Sequence, residues 1–137
     1  MDMDPELERL AVAVAMIEHD LGLPAGFLLD LPKRDDWSFV IKTHALVEAM
    51  VSHLLTHVVG DSQLAEFFER LELADAQTGK NAVAEKLDLL DSGERRFVRK
   101  LAELRNRLVH NVRNVDFSLK AYYDGLDENQ RRALVEA

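Results

Sequence analysis

The sequence contains no cysteine. A disulfide framework and thiolate chemistry are therefore both closed to it. Proline and glycine are scarce, with three and six residues respectively. Most of them lie between stretches of regular hydropathy, which predicts helices joined by short loops. No stretch alternates apolar and polar residues as a half-buried strand would. There is no internal repeat and no low-complexity segment. A phosphate-cradling glycine loop and a G-x-S-x-G elbow are also missing. No run is apolar enough to cross a membrane. The best candidate, residues 43–59, carries Glu48, three histidines, a serine and two threonines. The start, Met1-Asp2-Met3-Asp4, is acidic and lacks the basic opening of a signal peptide, so a cytoplasmic protein is expected.

What is present is ample apolar and charged material, 47% and 31% of 137 residues. That is the composition of a globular protein, and its length suits one domain over residues 1–137. The expected fold class is all-α: an antiparallel helical bundle with two long central helices and short flanking ones.

The first helix is expected over 5–21, with Asp4 as N-cap, Pro5 in the first turn and a buried stripe of Leu7, Leu10, Val14, Ile17 and Leu21. Residues 23–35 hold two prolines and read as a loop packed down by Phe27, Leu28, Leu29 and Leu31. The second helix is expected over 36–59 and, being apolar nearly all round, should be enclosed on several sides. Shorter helices follow over 61–71 and 81–90. The most periodic helix spans 92–111, and further helices are expected over 116–124 and from Asp127, where Gln130 would complete a capping box.

Charge is unevenly spread. The chain nets −8, which argues against a general nucleic-acid binder. Residues 92–113, however, hold seven basic side chains against Glu94 and Glu103, a local +5 that leaves −13 for the rest. A basic helix on an acidic body can face phosphates, and Arg99, Arg107 and Arg113 are the candidate RNA contacts. The competing reading is a solvated face paired with acidic neighbours.

Within that helix Phe97, Leu101, Leu104 and Leu108 form one apolar stripe. Beside it run Val98, Ala102, Arg105 and Val109, and then a polar stripe of Arg99, Glu103, Asn106 and His110. Arg105 thus occupies a place in an apolar stripe, where a guanidinium must be paired or face a cleft or interface. An arginine and a histidine near one phosphate suffice for metal-free RNA cleavage. The histidine moves a proton at the 2′-hydroxyl or the leaving oxygen, and the arginine stabilises the transition-state charge. Asn106, one turn before His110, can orient the imidazole or the RNA. Arg105 and His110 lie about 140° apart round the helix and about 7.5 Å along it, so one copy makes a splayed site and two copies a concentrated one. The structural alternative pairs Arg105 with Glu48, the lone carboxylate of the second helix, and lets His110 and Asn111 end the motif helix.

The run Arg105-Asn106-Arg107-Leu108-Val109-His110-Asn111 resembles the signature of the HEPN (higher eukaryotes and prokaryotes nucleotide-binding) domains: an arginine, a polar residue, and a histidine a few positions on. The context is similar too, since the motif ends a long helix and an earlier apolar helix holds the single carboxylate Glu48. The resemblance covers residues 39–113. It implies a helical bundle and a homodimer formed along the motif helices. It implies metal-independent endoribonuclease activity, as in toxin and defence members, with Arg105 and His110 catalytic and Asn106 and Glu48 supporting. It implies no cofactor, and an antitoxin or regulatory protein as a further partner. Many members are instead regulatory or RNA-binding without cleavage, so a non-catalytic interaction module is the second expectation.

His53 and His57, one turn apart, have the spacing of a metal pair, but no third ligand and no E-x-x-H pattern accompany them. They read as core or interface histidines, and no metal site is expected. Tyr122 and Tyr123 could stack on a base, although one of an adjacent pair is usually core.

Overall fold

The computed structural model describes residues 4–135. Among them it holds eight α-helices and no strand, so the fold is all-α. The chain divides into two compact units, Met1–Asp35 and Asp36–Ala137.

In the N-terminal unit, α1 spans Pro5–Asp20. The Asp4 carboxylate accepts the Glu6 N–H at 3.0 Å, which satisfies a donor that the first turn leaves free. The expected buried stripe holds only at its C-terminal end. Val14, Ile17 and Leu21 are partly covered, but Leu7 and Leu10 are more than half exposed, as are Val12 and Met16. A unit this small has too few side chains to cover a 16-residue helix. The segment read as a loop is helical in part: α2 spans Phe27–Asp30 and a 3-10 turn, Leu31–Lys33, follows it. The buried Glu18 explains this. Its carboxylate accepts the Phe27 N–H at 2.8 Å and so caps α2 from a distance in sequence.

The C-terminal unit is built on α3 (Asp36–Val59) and α6 (Ser92–Val109). Trp37, at the start of α3, donates its indole N–H to the carbonyl of Leu108, at the end of α6, at 3.3 Å. Val51 and Leu55, late in α3, pack with Val98, early in α6. The two helices therefore run antiparallel. The shorter helices are α4 (Ala65–Arg70), α5 (Lys80–Lys86), α7 (Leu119–Asp124) and α8 (Glu128–Val135). Two apolar clusters hold the unit together. One joins Val51, Leu55, Phe68, Leu73, Ala84 and Val98, and the other joins Val40, Leu101 and Leu108. Leu55 and Leu108 are the largest fully buried side chains, and truncating either to Ala costs about 2–5 kcal/mol.

Local capping sets the helix ends. Asp91 and Glu94 exchange the two bonds of a capping box at the start of α6. Asp127 and Gln130 do the same before α8, as their spacing predicts. Gly60, with φ at +76°, ends α3 in a conformation that suits glycine. The motif helix stops two residues earlier than expected. His110 is its C-cap, and the Asn111 side chain accepts the Arg113 N–H at 3.0 Å to open the 3-10 turn Val112–Asp116.

Between α4 and α5 the chain makes a tight loop. The Asp75 carboxylate accepts the N–H groups of Thr78 and Gln77 and the Thr78 hydroxyl. These bonds, the Thr78 N–H first, hold its carboxyl below the usual range. Gly79 closes the loop so tightly that a Cβ there would lie 2.5 Å from the Asp75 nitrogen. The α3 helix is central, packing on α4, α5 and α6, but it is not enclosed as fully as its composition predicts. Met50, His53, His57, Val58 and Val59 are exposed.

Candidate functional site

The polar stripe of α6 faces an open cleft of about 370 Å³. Arg99, Glu103 and Asn106 line it from that stripe, and Ala102 and Arg105 from the stripe beside it. Across the seam α3 supplies His44 and Glu48, one turn apart. The loop capped by Asp75 forms the third wall through Glu72, Leu73, Ala74 and Asp75. Burial of Leu101 and Leu108 on the opposite side of α6 fixes which residues turn toward the cleft.

Glu48 is paired, but not with the expected arginine. Its two oxygens lie 3.7 Å from Lys80 Nζ and 3.8 Å from His44 Nδ1. Lys80 is almost fully buried, and its ammonium also reaches the Glu69 carbonyl at 3.5 Å. The Glu48–Arg105 pairing is therefore corrected to Glu48–Lys80. The physical reason is positional: α5 begins directly beneath Glu48 and delivers Lys80 from inside the fold. The Arg105 guanidinium instead donates to the Asn106 side-chain carbonyl at 3.1 Å, and its Nε is buried without a hydrogen-bond partner.

His44 is buried beside this pair. Burial is the main force holding its imidazole below the ordinary value. Glu48 opposes that shift, while the positive charges of Arg105 and Lys80 add to it. The neighbourhood thus concentrates three cationic or titratable groups round one carboxylate.

The other predicted residues are dispersed. His110 sits exposed at the end of α6 and does not line the cleft. Arg107 and Arg113 are exposed, and the Arg107 carbonyl accepts the Asn114 amide at 3.0 Å. Arg99 is in the cleft with Arg105 and Asn106. His53 and His57 are exposed on α3 rather than in its core, and no three potential metal-ligating side chains converge among the described residues. Tyr122 and Tyr123 line an apolar groove with Phe39, Phe97 and Leu104.

His44 in the cleft and Lys80 behind Glu48 were not singled out in the sequence, and neither were Glu72 and Asp75 of the loop wall. His44 had a local signal, since it lies four residues before Glu48 on one helix face. Lys80 had none, because only the packing of α5 against α3 brings it to Glu48. No helix among the described residues is long and apolar enough to cross a membrane. Compared with protein-family models, curated proteins and solved structures, the chain matches none.

Proposed function

We propose that the chain is a HEPN-like RNA-binding protein that acts as a metal-independent endoribonuclease in a homodimer. One observation carries this reading: the Arg105 guanidinium is not consumed by a carboxylate. It opens into a solvent-accessible cleft, with Asn106 beside it and His110 one turn on at the exposed helix end. A purely structural motif arginine would be spent on its ion pair. In this reading Arg105 stabilises the charge that develops on the phosphate, and His110 moves the proton at the 2′-hydroxyl or the leaving oxygen. Asn106 orients the RNA, and Glu48 supports the cleft wall. Arg99, Arg107 and Arg113 hold flanking phosphates.

A single copy keeps His110 outside the cleft that Arg105 lines, which favours a site completed by a second copy across a two-fold axis. Exposed apolar residues, Val109 and Val112 beside His110 and Phe97 and Met50 on the apolar face of the helix pair, offer surface for self-association. The same separation favours a second reading, in which the motif serves dimerisation or regulation without cleavage and an antitoxin-like partner binds the dimer.

The deciding experiment incubates purified protein with an RNA panel in EDTA, beside a His110→Ala control. The proposal expects cleavage in EDTA, 2′,3′-cyclic phosphate ends, and no product from the control or from DNA. Intact RNA with a folded dimer moves the assignment to the regulatory reading.

A further inference from the structure

Away from the polar cleft, four helices of the C-terminal unit wall a second kind of recess. Phe39 of α3, Phe97 and Leu104 of α6, Tyr123 of α7 and Leu134 of α8 line an apolar groove of about 390 Å³. It adjoins a smaller recess of about 280 Å³, and Lys100, Tyr122 and Leu134 line both. The smaller recess differs in character, since Asp127, Asn129 and Gln130 also line it. An apolar cavity with a few polar groups at one end is the usual form of a small-molecule site.

Contacts between α7 and α8 hold these walls in place. Arg131 donates to the carbonyls of Tyr123 and Asp124 at 3.1 and 2.9 Å, and its guanidinium lies 5.0 Å over the Tyr123 ring. The Tyr122 ring tilts against Phe117 with 5.9 Å between centroids. A recess fixed in advance costs little ordering when it is filled. The other apolar groove of this helix pair lacks such walls. Val47, Met50 and Leu54 line it from α3 and Phe97 from α6, without α7 or α8, so it stays open to a flat apolar surface.

Charge sets the direction of a ligand. Lys100 is the one cation that lines either recess among the described residues. Its ammonium meets Glu103 at 3.3 Å, but both side chains are half exposed or more, so that pair is weak and exchangeable. Asp127 is the one acidic lining residue, and its carboxylate is engaged by the Gln130 N–H at 2.7 Å as the cap of α8. The Gln130 side-chain oxygen accepts the Asp127 N–H in return, which leaves the amide nitrogen to donate. Lys100, Asn129 and Gln130 thus offer donors where the apolar groove ends.

We propose that the joined recesses bind a medium-chain fatty carboxylate, with its tail in the groove of Phe39, Phe97 and Tyr123 and its carboxylate on Lys100. Burial of hydrocarbon supplies the affinity. The charge-assisted bond from Lys100 fixes which end lies where. The modest volume of the groove limits the tail, because a longer chain leaves its last methylenes in water. The site lies on a different face of α6 from the cleft of Arg105 and Asn106, so it goes beyond the ribonuclease reading and does not rest on it.

The test titrates the full chain calorimetrically with octanoate, butanoate, octan-1-ol and octylamine at neutral pH. Octanoate should bind roughly ten-fold tighter than octan-1-ol, which keeps the tail and loses the charge. Butanoate should bind roughly 100-fold more weakly than octanoate, because it buries less hydrocarbon. Lys100→Met, which keeps the stem, should bring octanoate down to the level of octan-1-ol and leave octan-1-ol unchanged. Tyr123→Ser should weaken both, and at 45% exposure its loss should leave the fold intact. Octylamine binding as tightly as octanoate overturns the proposal, as does octanoate binding that Lys100→Met leaves unchanged. An absence of saturable octanoate binding at millimolar concentration also overturns it. Octanoate that binds only the dilute chain and is expelled on self-association makes the groove an interface between copies, which overturns it too.

Discussion

The α3–α6 pair carries recesses of opposite chemistry. One is the cleft of His44, Glu48, Arg99, Arg105 and Asn106. The others are two apolar grooves that share Phe97: one continues through Phe39, Leu101 and Leu104, the other through Val47, Met50 and Leu54. Their volumes, about 370, 390 and 510 Å³, are of the same order. Size therefore does not separate them, but lining does. The apolar stripe of each helix leaves surface that water wets poorly and that suits another apolar surface. The polar stripe presents fixed donors and acceptors, which suits a hydrogen-bonding ligand.

Four substitutions test that contrast, the largest effect first. Arg105→Ala should lower RNA cleavage at least 100-fold, the scale of a lost charge-stabilising donor. Because Lys80 and His44, not Arg105, hold Glu48, its unfolding midpoint should stay near that of the parent protein. A large loss of stability in a urea titration would instead show that the cleft depends on a pairing absent from this geometry.

Lys80→Ala should act the other way, on stability before function. It removes the ammonium beside Glu48 and leaves a void at a position only 2% exposed. Uncompensated buried charge costs about 3–5 kcal/mol, and with the Glu48 side chain 35% exposed the expected loss is about 2–3 kcal/mol. Chemical denaturation measures it, and a change below about 0.5 kcal/mol, the range of ordinary surface substitutions, would mean the pair is not structural.

On the apolar side, Phe97→Glu should weaken self-association at least ten-fold, as loss of a central aromatic anchor does. The isolated chain should stay folded, because Phe97 is already 45% exposed. Sedimentation of both proteins across a concentration series gives the answer. Unchanged association would assign the grooves to something other than a second copy.

The smallest effect concerns pH. His44 has a folded-state value lowered from 6.5, so the unfolded chain takes up a proton more readily than the native one. The stability tied to neutral His44 is fully present above about 6.5 and is lost as pH falls through the folded value. A plot of unfolding free energy against pH should slope downward on the acid side of that point. His44→Gln should flatten this component, and an unaltered slope would place the sensitivity elsewhere.

Much of the helical framework was legible because its causes are local. The Asp4 cap, the Asp91–Glu94 and Asp127–Gln130 boxes, and the stop at Gly60 all act within a few residues. The division of α6 into apolar and polar stripes follows from the helical period, and it already grouped Arg99, Glu103 and Asn106 on one side. The all-α class follows from the same periodicity.

Tertiary structure decided what each stripe meets. Periodicity marks Leu7, Leu10 and Phe97 as apolar-face residues, but whether anything covers them depends on the packing of other elements, and here all three are exposed. A lone carboxylate in an apolar helix announces that it needs a partner. It does not say which, because every cation in the chain carries the same charge. Only the approach of α5 to α3, with Asn81 anchored to the Arg95 carbonyl at 3.1 Å, places Lys80 at Glu48 and so leaves the guanidinium of Arg105 open to the cleft.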